Sequence, residues 1–190
     1  RYRLFEVNPR KPSRASWKEI LPESDETLEG ALVVGGKLAT LSLKDASSRV
    51  RLYDRKGQRL RELTLPGLGT VASLSGRPDA DELFFGFTSY LTPTQIVRHD
   101  VRRATDRVWA ELPNPIDADA FEVEQERYVS KDGTSIPMFL VHKKGLERDG
   151  KNKTLLYGYG GFNISLTPAF AASVAPFIEA GGVYVVANLR

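Results

Sequence analysis

Leu155-Leu156-Tyr157 runs into Gly158-Tyr159-Gly160-Gly161-Phe162-Asn163, and this stretch has the residue types and spacing to do chemistry. A short apolar run ending in alternating tyrosines and glycines suits a strand that stops abruptly and turns its backbone towards something it approaches closely. Glycine permits such an approach because it has no Cβ. The two tyrosines bring rigid rings with hydroxyl donors to the same spot. On spacing alone the stretch is equally a glycine-rich turn between a core strand and the next element. Few other residues compete for a chemical role. The chain has no cysteine, hence no disulfide framework, thiolate nucleophile or Cys-based metal site. Its two histidines, His99 and His142, fall in strand segments and read as surface or packing residues, and no metal site is expected.

The elements that must position the motif follow from the flanking patterns. Val183-Tyr184-Val185-Val186-Ala187-Asn188 is a second apolar run with little alternation, as buried parallel strands are. The crossover between it and Thr154-Leu155-Leu156-Tyr157 has the length a βαβ unit needs. Ser173 is placed to cap a helix with Pro176 in its first turn, Val174, Phe177 and Ile178 on one face, and Gly181-Gly182 at its end. Before the motif, 121–129 and 135–142 flank Lys131-Asp132-Gly133 as a long hairpin, where Asp132 is a turn residue. Pro137 inside its second arm predicts an edge position or a bulge.

Residues 1–115 read as all-β. Hairpins are predicted across Gly35-Gly36-Lys37, across 54–58, across 76–81 and across 102–106, with no helical period between them. Up-and-down hairpins at near-regular spacing favour propeller blades over a sandwich. Pro113 and Pro115 mark a boundary, giving domains 1–115 and 116–190. Neither half reads as complete. The first supplies about two blades where a propeller closes with four to eight, so the chain is expected to be a piece of a larger polypeptide.

Composition excludes several classes. At 190 residues, 41% hydrophobic and 27% charged, the chain is an ordinary globular protein. A net charge of +3, with basic pairs scattered along the chain, argues against a nucleic-acid partner. No apolar run approaches the ~20 residues of a transmembrane helix, so no membrane partner is expected. Absence of cysteine fits a reducing compartment. The expectation is the cytoplasm, with the periplasm as the alternative.

The motif together with Ser130-Lys131-Asp132-Gly133-Thr134-Ser135-Ile136-Pro137 upstream and Asn163-Ile164-Ser165-Leu166-Thr167-Pro168 and 181–190 downstream resembles the prolyl oligopeptidase family of serine peptidases. Residues 1–115 resemble that family's last propeller blades, most clearly at Phe87-Thr88-Ser89-Tyr90-Leu91-Thr92-Pro93. The resemblance implies blades of a seven-bladed β-propeller followed by the start of an α/β-hydrolase domain. It implies cleavage of short peptides after proline by a Ser-Asp-His triad, with no cofactor. The partners implied are short proline-containing peptides and the remainder of the same polypeptide. Gly161-Phe162 favours the proline-specific branch over relatives that cleave after basic residues.

By that resemblance, Tyr159 donates a hydrogen bond to the oxyanion, and Phe162 forms an aromatic wall of the proline pocket. Phenols, with a pKa of about 10, stay protonated at neutral pH and can donate to developing charge. Tyr157 reads as a packing residue. The chain departs from the family in one respect: no Gly-x-Ser-x-Gly elbow or later Asp and His follow the motif. Ser73-Leu74-Ser75-Gly76 lacks the leading glycine. The triad is therefore expected outside these residues, and this segment alone is not expected to be active. Alternatives are a non-catalytic propeller interaction module and a related oligopeptidase of different specificity.

Overall fold

The computed structural model describes residues 1–189; Arg190, the last residue carrying the resemblance, lies outside them. Short strands β1 (Leu4–Glu6) and β2 (Lys18–Leu21) pair antiparallel. Then come two four-stranded antiparallel meanders. The first runs β3 (Thr27–Val34), β4 (Lys37–Lys44), β5 (Ser47–Tyr53) and β6 (Arg59–Glu62) in spatial order. The second does the same with β7 (Thr70–Gly76), β8 (Glu82–Thr88), β9 (Gln95–Asp100) and β10 (Thr105–Glu111). These are the sheets expected of propeller blades.

Alternation explains how the meanders pack. Leu83, Phe85 and Phe87 point inward from β8, and Val50 and Leu52 from β5. They meet Val34, Leu41, Val71 and Val97 in one core shared by both sheets. A polar network borders it. Glu26, 8% exposed, takes Arg51 Nη2 at 2.7 Å on one oxygen and Arg51 Nη1 on the other. Arg51 Nε also donates to Glu62 at 2.8 Å. The hydrogen bonds from Arg51 hold the Glu26 carboxyl below the ordinary carboxylate range, against the opposing effect of burial. A carboxyl whose pKa is depressed by folding stabilises the fold above its unfolded pKa and loses that contribution as pH falls through the folded value. Glu26→Gln is therefore expected to destabilise the protein by about 1–3 kcal/mol near neutral pH. The gap from wild type should shrink as pH drops below about 4 in urea unfolding curves. A gap that stays constant down to that range would remove the Glu26–Arg51 pair from this role.

After β10 the chain crosses 112–117 without a strand, and Asn114 Nδ2 donates to the Leu91 carbonyl at 2.9 Å. A third sheet follows, built from β11 (Phe121–Val129), β12 (Ser135–Lys143), β13 (Thr154–Gly158) and β14 (Val183–Ala187). Its order is β11-β12-β14-β13. Strands β13 and β14 are parallel, and the other pairs are antiparallel. The crossover carries a single helix, α1 (Ala175–Glu179).

Three details differ from expectation, and a fourth carried none. Pro137 lies on an interior strand in unbroken register with Arg127, not at an edge or bulge. Its carbonyl accepts from Asn188 N, so its nitrogen faces the β14 side beyond the end of β14. Proline cannot return the reciprocal bond to the Asn188 carbonyl, and β14 ends at Ala187, so only the last rung of the ladder is lost. Second, β13 is exposed along its whole length, with Leu155 46%, Leu156 68% and Tyr157 47% exposed. It is the outer strand of the four that the described residues supply, and Tyr157 lies on it half exposed. Third, Val174 rather than Ser173 occupies the helix N-cap position, without a side-chain cap bond. The helix end does follow expectation: Gly181 N donates to Ile178 O and Gly182 N to Phe177 O, with Gly181 at φ 88°. Fourth, the β4–β5 turn at Asp45-Ala46 holds two non-glycine residues at positive φ, 48° and 58°.

That turn joins the first meander to the third sheet. Arg127 Nη1 on β11 lies 2.9 Å from Asp45 Oδ1, and Gln125 Nε2 donates to the Asp45 carbonyl. Thr70 Oγ1 on β7 donates to Pro168 O at 2.6 Å. Beneath these contacts, Tyr90 and Leu91 pack with Ile116, Phe121, Phe139, Val141 and Ile178. The Tyr90 ring centroid lies 5.4 Å from that of Phe139 and 6.1 Å from that of Tyr184. Burial pushes the Tyr90 phenol well above the usual tyrosine range.

Candidate functional site

Strand β13 ends at Gly158, and the chain leaves its carboxyl end as Tyr159-Gly160 before a 3-10 turn over Gly161–Asn163. Ile164 N closes that turn on Gly161 O at 3.1 Å. The carboxyl ends of parallel strands are where open α/β sheets bind ligands. The glycine spacing has a steric reason here. A Cβ on Gly161 would lie 2.9 Å from Tyr159 Oη, so the phenol lies directly over the Gly161 backbone. A side chain at 161 would push the phenol from this position.

Phe162 is held differently. Its backbone is left-handed, φ 56° and ψ 25°, and its side chain is 93% exposed. A non-glycine residue in that conformation costs about 1–2 kcal/mol. Such strain points to function more often than to packing, and among the described residues the ring is almost free of contacts. Tyr159 is 38% exposed, and both it and Phe162 lie in the segment that follows the end of β13. The following loop is tied back to β14 by Asn188 Nδ2, which donates to Leu166 O at 2.6 Å. Asn188 Oδ1 is buried without a hydrogen-bond partner among the described residues.

The histidines lie elsewhere in the fold, and both are buried, each 2% exposed. His99 on β9 faces Asp106 on β10, with Nδ1 2.8 Å from the carboxylate and no partner on Nε2 among the described residues. His142 on β12 sits opposite Glu122 on β11. One oxygen from each of Glu122 and Glu124 and a ring nitrogen of His142 lie within 4.8 Å of one another. The sequence carried a signal for this group: Glu122, Glu124 and Glu126 alternate along one strand and so share a face. No helix among the described residues is long and apolar enough to cross a membrane.

Known proteins resemble the chain along its whole length. A family model described as prolyl oligopeptidase, N-terminal beta-propeller domain, matches residues 1–111. The prolyl endopeptidase of Elizabethkingia meningoseptica is 39% identical over 188 residues, covering 99% of this chain and 26% of the relative. Prolyl oligopeptidase A of Galerina marginata is 32% identical over 195 residues, covering 100% of this chain and 26% of the relative. The chain thus spans about a quarter of the length of the curated relatives it matches. A solved structure from a structural and mechanistic study of two prolyl endopeptidases is 49% identical with a TM-score of 0.89, covering 99% of this chain and 28% of its own. The likeness covers 99% of the chain, from the meanders through the third sheet, and the chain belongs to the prolyl oligopeptidase family.

Proposed function

We propose that the protein hydrolyses short peptides after proline, with Tyr159 donating to the oxyanion and Phe162 walling the proline pocket. The observation that carries this reading is Phe162, an exposed aromatic on a left-handed backbone beside Tyr159 at the end of a parallel strand. A flat ring there offers apolar area to a pyrrolidine with little rotamer entropy to lose. In this reading residues 1–115 are propeller blades, and residues 116–190 open an α/β-hydrolase domain. Serine, aspartate and histidine of the triad come from the remainder of the polypeptide. The prolyl endopeptidase relatives support the substrate class. Freedom from cysteine supports a cytoplasmic setting, with the periplasm as the alternative.

The test compares turnover of short proline-containing and arginine-containing peptides by the intact protein. Preference for proline is expected. Phe162→Ala should lower kcat/KM on proline peptides by about ten- to a hundredfold, the worth of about 1–3 kcal/mol of lost apolar contact. Loss on arginine peptides should be smaller. Equal loss on both would show that Phe162 supports the turn rather than the pocket, and a preference for arginine would overturn the substrate assignment.

A further inference from the structure

His142 is buried at 2% exposure, and its Nδ1 lies 2.8 Å from the Lys143 carbonyl oxygen. A carbonyl only accepts, so Nδ1 carries a proton and Nε2 is the nitrogen left to act as a ligand. Nothing donates to Nε2 among the described residues. What faces it is a second acceptor, Glu124 Oε2 at 3.9 Å. Glu122 Oε1 adds another carboxylate, 3.6 Å from Nδ1. Arg148 pairs with both Glu124 and Glu126. Among the described residues it is the one cation paired with these three carboxylates.

We propose that Glu122, Glu124 and His142 bind a divalent first-row cation, zinc best, through His142 Nε2 and one oxygen from each carboxylate. Neither the family match nor the peptidase reading assigns a metal here, and the proposal does not depend on them. An imidazole with two carboxylates suits zinc better than magnesium or calcium, which prefer all-oxygen sets. The Lys143 carbonyl supplies the outer bond that typically fixes a ligating histidine in one tautomer. Ligand atoms at about 2.0–2.2 Å from zinc lie about 3.3–3.6 Å apart. One oxygen from each glutamate and one ring nitrogen of His142 lie within 4.8 Å of one another, so the glutamates, Glu122 above all, must swing towards Nε2 by about 1 Å or more. The two glutamate side chains, 37% and 36% exposed, have the freedom to do so, whereas the buried ring stays fixed. Arg148 opposes binding, because the ion must draw Glu124 away from it while Glu126 keeps the guanidinium. Coordination would staple β11 to β12 and release the Gly145–Asp149 loop from Glu124.

The experiment titrates zinc chloride into the EDTA-stripped intact protein against a chromophoric chelator, and follows the thermal unfolding midpoint with and without zinc. His142→Gln, close to histidine in size and verified as folded by circular dichroism, should weaken binding at this site at least tenfold and abolish the zinc-dependent rise in midpoint. Arg148→Ala should tighten binding about tenfold. Wild type and His142→Gln binding the same number of zinc ions with the same affinity would overturn the site. Arg148→Ala binding no more tightly than wild type would remove Glu124 from the ligand set, and with it the proposal as stated.

Discussion

Replacing Tyr159 with phenylalanine in the intact protein should lower kcat about a hundredfold while KM changes little, the signature of a donor used mainly in the transition state. The substitution removes only an oxygen. The ring that lies over Gly161 remains, so the turn keeps its shape and the loss reports the hydrogen bond itself. Tyr157→Phe is the matched control: its ring is similarly open, at 47% against 38% exposed, but it lies on the strand rather than beyond its end. Near-wild-type kcat is expected for that variant. Unchanged kcat in Tyr159→Phe, or equal losses in both variants, would take Tyr159 out of the role.

Phe139→Ala should cost about 3–5 kcal/mol of stability, seen as an early transition in urea unfolding. Phe139 is 0% exposed in the middle of β12, and its ring stacks at a tilt against Tyr90 from the loop after β8. Deleting it leaves a cavity bounded by two different sheets that cannot both collapse into it. It also opens the surroundings of the Tyr90 hydroxyl, which has no partner among the described residues. The loss is a large share of a whole domain's margin, which is about 5–15 kcal/mol. A cost below about 1 kcal/mol would show that the meanders and the third sheet hold together through their polar contacts instead.

The parts of this fold that were legible in the sequence are those marked by turn chemistry. Glycine and aspartate at 35–36, 54–57 and 132–133 announced hairpins that the structure contains. The β4–β5 turn carried no such mark. Asp45 and Ala46 adopt positive φ without glycine, so the break between two apolar strands was invisible to composition. Burial was legible in the apolar runs of β8 and β14, whereas the apolar run of β13 lies on the outer strand of the four that the described residues supply. Pro137 misled for a related reason: whether a missing donor matters depends on where the neighbouring strand stops, a fact set by residues about fifty positions away. At the candidate site the residue types were legible and their mechanics were not. Nothing in the order of letters fixes Phe162 as a strained, outward ring, or buries His142 beside two carboxylates.

The order β11-β12-β14-β13 bears on synthesis as well as on architecture. The β11–β12 hairpin is finished at Lys143, but the partner for the other side of β12 starts only at Val183. At about 5–20 residues per second, a ribosome takes roughly 2–8 s to make the intervening ~40 residues. During that interval the Met138–Val141 side of the hairpin is an open template for any passing strand. The nascent chain has to be shielded or slow to aggregate over just that window, and a pause in translation between β12 and β14 would lengthen its exposure.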